Sequence, residues 1–175
     1  NEVSTSAGRK KKIAELETTS PFLFQAFKKD EKRAQATGNY LRHCGAYDLG
    51  AVGDVNYANV FANLFLNKIS TGGAFGAVLP SGVVTGDTMK GYFQHIVQNG
   101  LIRSFFDFEN KGLFDAHTGL KFGLLTCMKR KNDSPIEFSF FRHDVSELKV
   151  PDNIVHLDAE DIQLLNPNTQ NCPVI

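Results

Sequence analysis

The stretch LIRSFFDFENKGLFDAHTGLKFGLLTC, residues 101–127, decides the fold. Its two ends are short apolar runs dense in Phe, Ile and Leu, and each reads as a buried strand. Between them Asn110, Lys111, Gly112 and Asp115 make a polar, glycine-broken loop. No helical pattern separates the strands, so they are expected to pair antiparallel, at one edge of a sheet. One residue does not suit a solvated loop. Phe114 stands close to the mouth of the second strand. By its surroundings it reads as a plug over the rim of a core. The alternative is an exposed ring that stacks on a flat ligand or base.

Working outward, the pattern alternates. Tyr57, Val60, Phe61, Leu64, Phe65 and Ile69 recur at spacings of three and four, which predicts a helix with Asp54 as its N-cap. AFGAVLP, residues 74–80, is a short apolar run bounded by glycine and proline, and so a strand. A second helix is expected from about Asp87 to Asn99, with Tyr92, Phe93, Ile96 and Val97 as its stripe and Gly100 as its stop. Downstream, IEFSFFRH (136–143) alternates as a fourth strand, and DAEDIQLLNPNT (158–169) gives a short helix with a proline stop. Residues 9–37 suggest helix, with Ser20-Pro21 as a start signal, and 45–53 form a glycine-rich loop. The expected class is therefore α/β: parallel strands with an antiparallel edge hairpin. Residues 1–40 read as a helical, basic N-terminal segment and 41–175 as the core.

Composition narrows the function. A chain of 175 residues with 42% hydrophobic and 22% charged residues suits one globular domain. Formal net charge is zero, so a whole-domain basic field for nucleic acid is absent. The charge is uneven, with RKKK at 9–12 and KKDEKR at 28–33. Cys44, Cys127 and Cys172 are far apart with no C-x-x-C spacing, which argues against zinc and for a reducing cytoplasm. His43, His95, His117, His143 and His156 include no i, i+4 pair, so no metal site is expected. His43 and Cys44 adjoin, and neighbouring side chains diverge, so Cys44 reads as structural. No apolar run approaches the roughly 18 residues of a membrane helix. The opening Asn1 and the closing NCPVI lead to the expectation of a piece of a longer protein.

Two further places lie where ligands bind in open α/β sheets, at helix N-termini beyond the carboxyl ends of strands. Asp54, Asn56 and Tyr57 stand at a helix start after a glycine loop, where they either cap the helix or read a nucleoside. Pro80 and Ser81 follow the strand 74–80, as a turn or as a ligand edge. The glycines of GGAFGAVLPSG do not make a dinucleotide loop, because Gly72 and Gly73 precede the strand.

Taken in order, GDVNYANVFANLFLNKISTGGAFGAVLPSGVVTGDTMKGYFQHIV, LIRSFFDFENKGLFDAHTGLKFGLLTC and LNPNTQNCPVI resemble the Eco57I-type amino-DNA methyltransferases of restriction–modification and phage-defence systems. The resemblance covers about residues 40–175. It implies a Rossmann-like domain that moves a methyl group from S-adenosylmethionine to a flipped adenine in double-stranded DNA. By matching position, it implies Asp54 and Tyr57 near the donor's adenine end, with Pro80 and Ser81 at the ligand edge. Phe114 would stack on the flipped base, and Lys121 begins the strand behind it.

The family's Asn-Pro-Pro-aromatic catalytic loop is absent, since Asn166-Pro167 is followed by Asn168. The glycine-rich donor loop and the recognition domain are absent too. The expectation is the second half of a methyltransferase core, from a parent that could also carry a nuclease. Alone it would be inactive, would not bind S-adenosylmethionine tightly, and would self-associate through an exposed sheet edge. A different reading also stands: a non-catalytic α/β module that uses its basic N-terminal region for nucleic acid or a protein.

Overall fold

The computed structural model describes residues 5–115, 119–130 and 134–175. His117 therefore lies outside the described residues. The chain divides into two compact units, Asn1–His43 and Cys44–Ile175.

The first unit is a pair of helices. α1, Ser6–Thr19, starts at Thr5, whose hydroxyl accepts from Gly8 N–H at 3.2 Å. It has no buried residue. Its end follows from local chemistry: the Thr18 and Thr19 hydroxyls both donate to Glu15 O, and Pro21 cannot continue the hydrogen-bond ladder. Pro21 instead opens α2, Pro21–His43, where its fixed φ suits a first helical position.

In the second unit, α3 is Tyr57–Lys68, β1 is Ala74–Pro80, α4 is Gly82–Thr85 and α5 is Lys90–Gln98. β2 is Ile102–Glu109, β3 is Lys121–Met128, β4 is Ile136–Arg142, β5 is Val155–Leu157 and α6 is Ala159–Leu165. The N-cap of α3 is Asn56, whose Oδ1 accepts from Ala58 N–H at 2.8 Å, and not Asp54. Asp54 lies two residues too early to reach that first turn. α5 does not begin at Asp87. That residue opens a single 3-10 turn, Asp87–Met89, ahead of the helix. Gly100 sits just past α5 with φ +62°, a conformation a Cβ disfavours.

The five strands form one sheet in the order β1-β3-β2-β4-β5. β3 pairs antiparallel with both β1 and β2, β4 pairs antiparallel with β5, and only β2 and β4 are parallel neighbours. The fold is thus mixed α/β with a mostly antiparallel sheet. β1, β2 and β4 nevertheless run in one direction, because β1 and β2 both oppose β3. The hairpin is antiparallel as expected, but it is not at an edge: β3 folds back between β1 and β2. That position gives it two pairing partners and buries Phe122, Gly123, Leu125 and Cys127. β4 then lies on the far side of β2, and the short β5, unmarked by periodicity, covers its flank.

The core lies under one face of the sheet. Tyr92, Phe93 and Ile96 of α5 pack with Phe105, Leu125, Phe138 and Phe140, all within 1% of full burial. β1 is different. Phe75 meets Phe65 of α3 at 5.7 Å between ring centroids, but Ala74, Gly76 and Val78 of the opposite face are exposed. β1 also ends the strand order, so its outer edge has no strand beside it among the described residues.

Candidate functional site

The carboxyl ends of β1, β2 and β4 meet the amino end of β3 along one edge of the sheet. Ligands of open α/β sheets gather at such an edge. Ser81, just beyond β1, is buried, and its hydroxyl donates to Asp107 Oδ1. Its N–H donates to Lys121 O at 3.2 Å, which ties the ends of β1 and β3 together. Asp107 is itself 3% exposed, and its Oδ2 accepts from Phe141 N–H at 3.3 Å. One buried carboxylate therefore joins the ends of three strands. A hydroxyl and an amide replace the water it has lost.

Phe141 is held at φ +60°, unusual for a residue with a bulky side chain, and is exposed. Lys121 Nζ lies 4.5 Å from the centre of its ring, within cation–π range. Lys121 also pairs with Glu109 Oε1 at 3.4 Å. Glu109 gathers Lys111 at 3.4 Å and His143 Nε2 at 3.2 Å on its other oxygen. The hydrogen bond from His143, then that from Lys111, holds the Glu109 carboxyl below its ordinary range.

Phe114 is placed by Asn110. Asn110 is 1% exposed, accepts from Phe114 N–H at 3.1 Å and donates to Phe114 O at 3.2 Å. This reciprocal clamp turns a polar loop into a fixed platform. The Phe114 ring stands edge-on to Phe122 at 4.7 Å, and Phe122 stacks on Phe108 at 5.4 Å. Phe114 remains 49% exposed, so it is not a full plug. It lines a mainly apolar cavity of about 200 Å³ with Val78, Leu79, Pro80, Asn110, Leu120 and Phe122. That is below the roughly 300–1,000 Å³ of drug-sized sites and suits a single flat ring system.

Four of the sequence candidates, Pro80, Ser81, Phe114 and Lys121, thus converge on one edge. Asp54 and Tyr57 do not line this cavity. Both are exposed at the start of α3, Tyr57 with 64% of its surface open. Asp107, Glu109, Asn110 and Phe141 were not among the sequence candidates. Asp107 carried a signal, as an acid inside an aromatic strand. Phe141 carried none, because its backbone angle has no sequence mark. A larger cavity of about 330 Å³ lies elsewhere, lined by Gln94, Gln98, Gln163 and Gln170 from α5, α6 and the tail. Among the described residues no three His, Cys, Asp or Glu side chains form a metal cluster, and no helix is long and apolar enough to cross a membrane.

No protein-family model matches the chain, and no curated protein matches it. Among solved structures it is similar to one described as the type IIG restriction endonuclease BpuSI. The TM-score is 0.41 and the identity 17%, over 53% of this chain and 11% of that one.

Proposed function

We propose that this chain is part of a site-specific DNA adenine methyltransferase of a restriction–modification or phage-defence system, working in the cytoplasm. In this reading the second unit is the latter part of a Rossmann-like catalytic core. S-adenosylmethionine is the methyl donor and double-stranded DNA the partner. The observation that carries the reading is the convergence of Pro80, Ser81, Phe114 and Lys121. The family resemblance selects them from positions far apart in sequence, and they lie on one strand-end edge beside a cavity for a flat ring.

Phe114 is the stacking platform for the flipped base. Lys121 begins the strand behind that platform, while Asp54 and Tyr57 lie towards the donor's adenine end. An adenine amine is a poor nucleophile, and its alignment needs acceptors from an Asn-Pro-Pro-aromatic loop. This sequence holds no such loop. By itself the chain transfers no methyl group and holds the donor weakly. Its exposed β1 edge pairs with a second copy.

The test is methyl transfer from labelled S-adenosylmethionine into duplex DNA by an enzyme that joins this sequence to the catalytic loop. Phe114→Ala is expected to lower kcat/KM by roughly 5- to 150-fold, the equivalent of about 1–3 kcal/mol of base stacking. No transfer to DNA by that enzyme, or an unaffected Phe114→Ala variant, rejects the assignment. For the edge, light scattering of the chain alone should show dimers or larger species that Val78→Lys disperses. A clean monomer at high concentration removes that part.

A further inference from the structure

We infer that the outward face of α2 is a binding surface for single-stranded nucleic acid. The inference concerns the first unit alone and does not depend on the role proposed for the sheet. At 3.6 residues per turn, Phe22, Lys29, Arg33 and Tyr40 fall within roughly 20° of one line along the helix. That line is about 27 Å long. Phe22 is 82% exposed and Tyr40 is 66% exposed, and Lys29 and Arg33 are exposed between them. Phe24 and Phe27 on the other side of the helix are half-buried, so the unit already has an inner face. An aromatic ring at each end of a soluble helix, turned to water, is not explained by packing.

The charge favours an anionic occupant. Residues 1–43 carry nine Lys and Arg against five Asp and Glu, a net +4, while residues 44–175 carry ten against fourteen, a net −4. The zero total hides this division. Glu31, the acid nearest the inner face, is 2.9 Å from Lys28 and not on the outward line. Two cations flanked by two rings match a chain of phosphates with accessible bases: ammonium and guanidinium take the phosphates, and the rings stack on bases.

A bilayer is a poorer match. An interfacial helix keeps its cations at the flanks of a wide apolar stripe, whereas here they occupy the middle of a narrow one. An apolar protein groove would bury the same two charges without partners. Duplex DNA offers phosphates but hides its bases in the stack.

The test uses the whole chain and a labelled 20-mer of deoxythymidine, read by fluorescence anisotropy, with a 20-mer of uridine and a duplex as competitors. The inference expects the single strand to compete better than the duplex; the two single strands show whether DNA or RNA is preferred. Lys29→Ala with Arg33→Ala should reduce the slope of log K against log salt by roughly 1.4, two phosphates at about 0.7 each. Phe22→Ala with Tyr40→Ala should weaken binding at least about fivefold and leave that slope unchanged. All four side chains are exposed, so unchanged circular dichroism is expected for both variants. No binding at low salt, equal or better binding of duplex, capture by anionic vesicles instead, or indifference to both double substitutions overturns the inference.

Discussion

At the scale of the residue, Asn110 and Glu109 decide how the loop before β3 is held. Asn110 is buried, and its side chain holds the Phe114 backbone at both the N–H and the carbonyl. Asn110→Ala leaves that amide and carbonyl without their partner, and is expected to destabilise the chain by about 1–3 kcal/mol in urea unfolding. A change below about 0.5 kcal/mol would mean that water replaces the clamp. Glu109 gives a pH signature. Its folded carboxyl titrates below the ordinary range, so its contribution is present above the unfolded value near 4.3 and is lost as pH falls through the folded one. Wild type and Glu109→Gln should therefore differ in Tm at neutral pH and converge in acid. A difference that grows on acidification would reverse the sign and refute the cause. The charges at Glu109, Lys111 and Lys121 were plain in the sequence, but their meeting was not. His143 lies 34 residues from Glu109 and reaches it only through the pairing of β4 beside β2.

At the scale of the element, β3 is the strand on which the sheet depends. A Cβ at Gly123 would run into the Phe105 ring, whereas one at Gly76 of β1 would meet nothing within 4 Å. Gly123→Val is expected to cost about 1–3 kcal/mol or more by overpacking, while Gly76→Val stays within about 0.5 kcal/mol. Equal denaturation midpoints for the two variants would show that β3 is not packed as described. The bounds of β1 and β3 follow directly from their apolar runs, AFGAVLP and KFGLLTCM, because a short continuous apolar run of strand length is itself the signal. The partners of β3 did not follow, since nothing in a short apolar run names its neighbours. β5 escaped for the opposite reason: Val155–Leu157 is too short for any period to register. Asp54 failed as a cap because a sequence offers several polar residues ahead of a helix, and only backbone geometry selects Asn56.

At the scale of the whole molecule, stability should be uneven. α1 has no buried residue, while β2 and β3 share a core in which Phe105, Phe108 and Leu125 are almost wholly covered. Short helices without tertiary burial are marginal in water. Hydrogen exchange should therefore be fast across α1 and slowest in β2 and β3, where opening requires unfolding of the sheet. Protection in α1 equal to that in β3 would contradict this. The thiols should follow the same division. Burial pushes Cys127 up to about 12 and raises Cys172 as well, leaving half-exposed Cys44 as the first to react. Local patterns in the sequence by themselves determined the α/β class and the longer helices and strands. These depend on periodicity, caps and composition, which are properties of neighbours along the chain. Tertiary structure alone decided that β3 lies between β1 and β2, that Asp107 joins three strand ends, and that Phe114 is clamped and half-exposed. Those outcomes depend on which distant segments win the same buried partners, and no local pattern encodes that competition.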